Sequence, residues 1–544
     1  MARSAAKPNV RRRIQSDFNL GGGAAEADGL LQEAFFESGH YRAIASRTER
    51  KCFLVGRTGS GKSAALRKVE EEHPSHVIRI NPEDLSLPYI TDLGVIRYLS
   101  SLDVHMDPLF IALWKHVLLI EVIKHRYNVD SPGAMQRFMS TLMDRIRRDR
   151  SKQAALEYLE EFEGRFWCET DERVKEITKR FENQVEAEAG GKLPGAFSIK
   201  SGGSSNSAIE ERAELAQRFQ RIVNETQLPR LNKMMTVLDD DILDSPQHYT
   251  YVVIDDLDRD WVDEKVKNDL IRCLFRTVAE LVRVDNLKIL VALRTNILES
   301  LDFGQAGGQE EKFRDLSLRV RWTRGDLQEL LDGRTRVAAE MHGLAHIHSL
   351  ADLLPVPTKT QKDPLDVILN RTLMRPRDAI AFLNQCLENS SGDERITWEA
   401  IYAAEQAYSE DGLLALRDEW KPTYAGIDRV LRIFTGASRT ISKNDLIVRM
   451  DDCILLTTEH DFAGNRWMVE AGSVALFGHG DWADMYHPLV KLLYNIGFLG
   501  CSLGKKNPLI YSHDDSDFMN KVANLREVAF FSVHPAFQPA LDIS

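Results

Sequence analysis

Eight residues, Gly56-Arg57-Thr58-Gly59-Ser60-Gly61-Lys62-Ser63, constrain this chain more than any other stretch. They stand between the apolar run Cys52-Phe53-Leu54-Val55 and the helix-forming stretch Ala64–Glu70. The sequence therefore predicts a strand, a glycine-rich loop and a helix in succession. Glycines let the backbone curl until successive N–H groups point inward, and the helix that follows adds the positive end of its dipole. A loop built this way cradles phosphate. Gly56, Arg57, Thr58, Gly59, Ser60, Gly61, Lys62, Ser63 and Ala64 are the expected nucleotide contacts. Lys62 would reach the β- and γ-phosphates, and the Ser63 hydroxyl would help to hold Mg²⁺. The expected cofactors are ATP and Mg²⁺.

A second signature lies far downstream. The run Tyr249-Thr250-Tyr251-Val252-Val253-Ile254 ends in Asp255-Asp256-Leu257-Asp258-Arg259, the pattern of a buried strand that delivers carboxylates to its carboxyl tip. Paired with the upstream loop it reads as a Walker B element. Asp255 would hold Mg²⁺ and Asp256 would orient the attacking water. The bland alternative is that these aspartates cap the next helix, a role that suits Asp258. A third strand, Lys288–Leu293, ends in Arg294-Thr295-Asn296. In a parallel sheet those polar tips lie beside the aspartates, where ligands gather, so Thr295 or Asn296 would sense the γ-phosphate. The runs Val77–Ile80 and Leu316–Val320 supply two more strands. Five strands alternating with helical segments give an α/β fold with a parallel sheet.

The 544 residues carry a formal net charge of −12, with 43% hydrophobic and 28% charged residues. That balance suits about three or four domains and argues against wholesale coating of nucleic acid. The six cysteines are scattered without a C-x-x-C pair, which disfavours zinc and disulfides and fits a cytoplasmic protein. The most apolar stretch, Pro108–Ile123, is interrupted by Lys115, His116 and Glu121, so no membrane span is expected. Residues 1–29 read as a basic flexible arm. Residues 30–330 form the ATPase core, with a long helical insertion at about 90–247 that reads either as a protrusion or as an assembly surface. Within it Leu109, Leu113, Val117 and Leu118, then Met135, Phe138, Leu142 and Ile146, recur with helical spacing. Residues 331–410 are expected to form a helical lid. The remainder, 411–544, contains a helix over Ala483–Ile496 and strand-like runs at Leu509–Tyr511 and Val528–Val533. Helices followed by a two-strand hairpin read as a winged-helix-like domain.

Taken in order, Gly56–Ser63, Val252–Arg259 and Val291-Ala292-Leu293-Arg294-Thr295-Asn296-Ile297 resemble the bacterial P-loop ATPases related to the KAP and STAND groups, within the AAA+/ASCE class. The segment Arg371-Thr372-Leu373-Met374-Arg375-Pro376-Arg377-Asp378 resembles the opening of a lid helix in such proteins, and the tail, with Tyr486–Leu499 and Val533–Phe537, resembles their C-terminal winged-helix-like region. The resemblance implies a Mg-dependent ATP hydrolase that acts as a conformational or assembly switch. It further implies a sensor or scaffold role in bacterial antiviral defence or signalling, with a separate effector protein as partner. Membrane-spanning inserts found in some KAP proteins are absent, and Asp256 stands where a glutamate is common in AAA+ enzymes, so slow or partner-stimulated turnover is implied.

Phosphoryl transfer needs positive charge against the γ-phosphate. Arg294 at the third strand's tip, Arg314, Arg319, Arg321 and Arg324 around the fifth strand, and Arg375 or Arg377 at the lid are the candidates. The expected catalytic set is Asp256, Lys62, Arg294, Asn296 and Arg377. An arginine supplied across an interface would make the protein a homo-oligomer. Two rivals stay open: a DNA-associated ATPase using the C-terminal domain, which its two turn lysines, Lys505 and Lys506, support only thinly, and an ATP-binding scaffold with negligible turnover.

Overall fold

The computed structural model describes residues 13–85, 106–127, 132–149, 152–153, 155, 157, 228–257, 264–301, 308–357, 363–462, 464 and 466–543. The chain divides into two compact units. One comprises Gly39–Gly56 and Lys62–Val320, the other Met1–Ser38, Arg57–Gly61 and Arg321–Ser544.

The first unit is built on a five-stranded, all-parallel sheet. Its strands are β1 (Phe53–Gly56), β2 (Val77–Ile80), β3 (Thr250–Ile254), β4 (Leu287–Arg294) and β5 (Ser317–Arg319), ordered β2-β3-β4-β1-β5. Every residue of β1 and β3 is buried, as continuous apolar runs must be when helices cover both faces of a parallel sheet. Helix α1 (Lys62–Glu72) follows β1, α2 (Asp107–Arg126) lies in the stretch between β2 and β3, and α3 (Glu264–Leu281) joins β3 to β4.

Helix α2 shows that the insertion is not simply a protrusion. Leu109, Leu113, Val117 and Leu118 are buried, and so are Phe110, Trp114, Leu119 and Ile123 on the other faces. A helix apolar on all sides has to lie inside a core, and α2 belongs to the sheet's hydrophobic cluster. Trp114 donates its indole N–H to the Leu270 carbonyl of α3 at 2.9 Å. A helix over Pro132–Arg147 carries Leu142 and Ile146, both buried in the same cluster. The sequence also predicts a charged helix or helical hairpin over Glu157–Glu188, glycine breaks between Gly190 and Ser205, and a helix from about Ile209 to Leu238; residues 158–227 lie outside the described residues, and Leu228–Val237 is helical.

The second unit is mainly helical at first. Its long helices are α4 (Arg324–Met341), α5 (Pro376–Asn389) and α6 (Trp398–Trp420). Thr323 caps α4 in a reciprocal box with Asp326, worth about 1 kcal/mol for such caps. Two expected boundaries are corrected. Helix α6 runs straight through residues 410 and 411, because Thr397 caps its start and an uninterrupted helical pattern leads to Trp420. Residues 13–29 are not a flexible arm: Ile14, Phe18 and Leu20 are buried in the helical core. Asp28 forms a buried ion pair with Arg334 at 2.6 Å. The basic residues of 1–12 lie outside the described residues.

Beyond α6 come β6 (Ile441–Ser442), α7 (Lys443–Leu455), α8 (Arg466–Phe477), α9 (Trp482–Asn495), β7 (Leu499–Ser502) and β8 (Phe530–Val533). The three strands form an antiparallel sheet ordered β6-β8-β7. The hairpin expected from the sequence pairs Val528–Val533 with Leu509–Tyr511. The observed partner is β7 instead, with Leu499 opposite Val533 and Ser502 opposite Phe530, while Ile510 contributes a single bridge to Cys501. Gly500 and Cys501 have little strand character by composition, which hid β7 in the sequence.

Candidate functional site

The glycine-rich segment has the backbone its composition demands. Gly59 and Gly61 take φ of 76° and 89°, the left-handed region that costs glycine nothing. Trp322 supports them from within the same unit: its indole N–H donates to the Ser60 carbonyl at 2.9 Å. The hydroxyls of Thr58 and Ser60 are buried without a hydrogen-bond partner. Buried orphan polar atoms are rare in folded proteins and call for a ligand or water.

In the sheet unit, Lys62 opens α1 with its side chain only 9% exposed, and its Nζ donates to the Gly56 carbonyl at 2.8 Å. Strand β4 separates β1 from β3, and Arg294 stands in register with Gly56. Asp255 follows the last residue of β3 and is 6% exposed. It pairs with Arg79 on β2 at 3.6 Å, beyond hydrogen-bond reach, and Arg79 bonds Glu70 more closely at 2.7 Å. Asp256 has φ of 59°, and its N–H donates to Asp255 Oδ1 at 2.9 Å. A left-handed aspartate at a strand tip is mildly strained, a condition that clusters at functional sites. Asn296 is buried within the short helix Thr295–Ser300 that follows β4. Asp258 and Arg259 lie outside the described residues.

In the helical unit the two arginines at the start of α5 part company. Arg375 is committed to carboxylates: Nε and Nη2 reach Asp378 at 2.7 and 3.1 Å, and Nη1 reaches Glu419 at 3.2 Å. Its Nη1 also donates to the Thr58 carbonyl at 2.8 Å. Arg377 lies against the loop itself. Its N–H faces the Gly59 carbonyl at 3.4 Å, its Nε donates to the Gly23 carbonyl at 2.8 Å, and a Cβ on Gly59 would come within 2.8 Å of the Arg377 Cβ. Glycine is therefore required at position 59 twice over, by conformation and by space.

Glu419 is the residue sequence reasoning missed. It sits near the end of α6, 9% exposed, with Arg57 Nη2 at 2.9 Å on one oxygen and the Thr58 N–H at 3.1 Å on the other. Burial alone would raise its carboxyl, but Arg57, Arg375 and the Thr58 N–H outweigh that and hold its pKa down at about 2. Nothing local to Asp418-Glu419-Trp420 announces this role. Around strand β5, Arg319 is exposed and pairs in register with Val55, Arg321 donates to Ser516 at 2.7 Å, and Arg324 bonds Asp363 and Asp366.

The donor set suits Mg²⁺ with a nucleotide. Magnesium takes one or two protein oxygens and fills the rest of its octahedron with water and phosphate, which a buried, loosely paired Asp255 and Ser63 would provide. Among the described residues no cluster of three or more His, Cys, Asp or Glu offers a complete protein cage for a metal. A cavity of about 650 Å³ lies at the opposite, amino ends of β3 and β4, lined among others by Arg47, Tyr249, Asp285 and Lys288. It contains none of the expected site residues.

Residues 325–417 match the family described as a FunZ-associated C-terminal helical domain. The match spans most of α4, all of α5 with Arg375 and Arg377, and most of α6, ending just before Glu419. No curated protein matches the chain. No described helix is long and apolar enough to cross a membrane.

Proposed function

We propose that the chain is a Mg-dependent ATP hydrolase whose phosphate loop is Gly56–Ser63. The observation that carries this reading is the loop's local geometry: two left-handed glycines, two orphaned buried hydroxyls and a buried lysine, between a central parallel strand and a helix. Support comes also from the strand order, in which β4 lies between the loop strand and the strand that leads into Asp255, the arrangement of the ASCE class that the sequence resembles.

Each residue then has a physical task. Lys62 exchanges its bond to the Gly56 carbonyl for the β- and γ-phosphates. Asp255 and Ser63 would hold Mg²⁺, which neutralises charge developing on the phosphates when bound. Asp256 orients water, Asn296 senses the γ-phosphate, and Arg294 and Arg377 supply positive charge. The helices over 324–420 act as a lid. The order helix, β6, α7, α8, α9, β7, β8 with sheet order β6-β8-β7 supports a winged-helix-like C-terminal domain. A homo-oligomer formed in Mg·ATP, acting as a switch for a separate effector, is part of the same proposal and rests on the sequence resemblance; mass photometry with and without nucleotide tests it.

Phosphate release by the purified chain tests the chemistry. Asp256→Asn is expected to bind Mg·ATP as the parent does and to lose at least 100-fold in turnover, since a water-orienting carboxylate acts mainly in the transition state. Asp255→Asn should in addition raise the Mg²⁺ concentration needed for half-maximal rate. Parental turnover in both variants would exclude the assignment.

A further inference from the structure

The nucleotide reading leaves Glu419 without a task, although it is a buried carboxylate bonded directly to the glycine-rich loop. We propose that Glu419 is a positioning residue for that loop: it fastens Arg57 and Thr58 to the Arg375 end of helix α5, and so holds Arg57–Gly61 in the shape that accepts phosphate. The inference deepens the ATPase reading and rests on it.

Both polar atoms of the Thr58 backbone are tied. Its N–H donates to Glu419 Oε1 at 3.1 Å, and its carbonyl accepts from Arg375 Nη1 at 2.8 Å. Glu419 Oε2 is shared by Arg57 Nη2 at 2.9 Å and Arg375 Nη1 at 3.2 Å. Asp378 completes the set with a two-bond grip on Arg375 and an acceptor for the Leu373 N–H at 3.2 Å. Two guanidiniums against two carboxylates leave the cluster neutral, which buried charges require. The peptide units on either side of the Thr58 Cα are each held by one bond, which restrains rotation at that residue, and Gly59, the next residue, is the first of the two left-handed glycines. The clamp thus fixes the entry to the curl.

The same arginine carries the connection further. A Cβ on Gly497, which takes φ of 81°, would come within 2.6 Å of Arg57 Nη1. The Arg57 guanidinium therefore lies against bare backbone just before β7. Moving Glu419 on α6 away from the loop has to break its bonds to both Arg57 and the Thr58 N–H. A shift of α6 is in this way translated into a looser loop, and a bound nucleotide that holds the loop favours the bonded arrangement.

The experiment compares Glu419→Gln with the parent by hydrogen exchange across residues 53–66 and by Kd for Mg·ATP. Glutamine keeps an acceptor for the Thr58 N–H and loses the charge that Arg57 and Arg375 share. A control, Glu405→Gln, removes another ion pair of the same helix, Arg371–Glu405 at 2.7 Å. Glu419→Gln is expected to speed exchange across the loop at least tenfold without nucleotide and to raise Kd about tenfold. The control should lower the melting temperature while leaving loop exchange and Kd parental. Parental loop exchange in folded Glu419→Gln, or an equal rise of Kd in both variants, would overturn the proposal. Should Glu419→Gln fail to fold, Arg57→Gln opens the same bond from the loop side; faster loop exchange there supports the proposal, and parental exchange overturns it. A parent that binds no ATP counts against the ATPase reading itself, and loop exchange still decides whether Glu419 holds the loop.

Discussion

Lys62 and Arg375 are both buried cations bonded to the glycine-rich loop, and they are held in opposite ways. Lys62 donates to a neutral carbonyl at the loop's own first residue. Arg375 is locked between two carboxylates, and its guanidinium is correspondingly harder to deprotonate despite the burial that opposes the charge. A cation resting on a carbonyl keeps its charge for an incoming anion. A guanidinium neutralised by Asp378 and Glu419 has little left to offer one. The contrast separates the two arginines of Arg375-Pro376-Arg377: the first is structural, and the second, lying on Gly59, is the candidate for nucleotide contact.

The sharpest way to break this contrast is to remove each arginine in turn. Arg375→Ala strands Glu419 and Asp378 in the interior with less compensation, and breaking a buried ion network from one side costs about 3 kcal/mol. Denaturant unfolding should show that loss, and a parental midpoint would contradict the structural role. Next in size is a pH effect on the locked side. His534 is buried, accepts the Ala536 N–H on Nδ1 at 3.1 Å, and titrates well below its usual 6.5 because of burial, His513, Arg57 and Arg375. The unfolded chain gains this proton near pH 6.5 and the folded one does not, so stability falls as pH drops below 6.5 and is flat above it. One proton corresponds to about 1.4 kcal/mol per pH unit. His534→Gln should flatten the slope by about that much, and an unchanged slope would place the titration elsewhere. The smallest effect is expected from Arg377→Ala, a roughly fivefold rise in Kd for Mg·ATP with little change in unfolding midpoint. If Arg377→Ala unfolds the protein while Arg375→Ala only weakens binding, the roles are reversed.

What the sequence made legible was local. The loop Gly56–Ser63 and the strand and helix flanking it declare themselves within a couple of dozen residues, and β1 to β5 fall where the apolar runs lie. Asp258 and Arg259, at the tail of the run that reads as a Walker B element, lie outside the described residues. The clamp could not be read at all, because Thr58 and Glu419 are 361 residues apart and no spacing rule connects them. Residues 13–29 misled for a related reason. Their basic neighbours suggested an arm, whereas Ile14, Phe18 and Leu20 are too few to show a period and are buried only because helices from 327 onward cover them. Helix α2 looked like part of a protrusion for as long as its apolar residues were counted on one face.

Everything proposed for the loop depends on Lys62 meeting phosphate. Calorimetric titration of the purified chain with Mg·ATP, run beside Lys62→Ala, tests it directly. The parent is expected to bind with a 1:1 stoichiometry per chain. The variant should fold with the same melting temperature and lose at least 100-fold in affinity, since it forfeits a charge-assisted contact to the phosphates. Equal affinity of parent and variant, in proteins that melt alike, would contradict the claim and remove the phosphate from this loop.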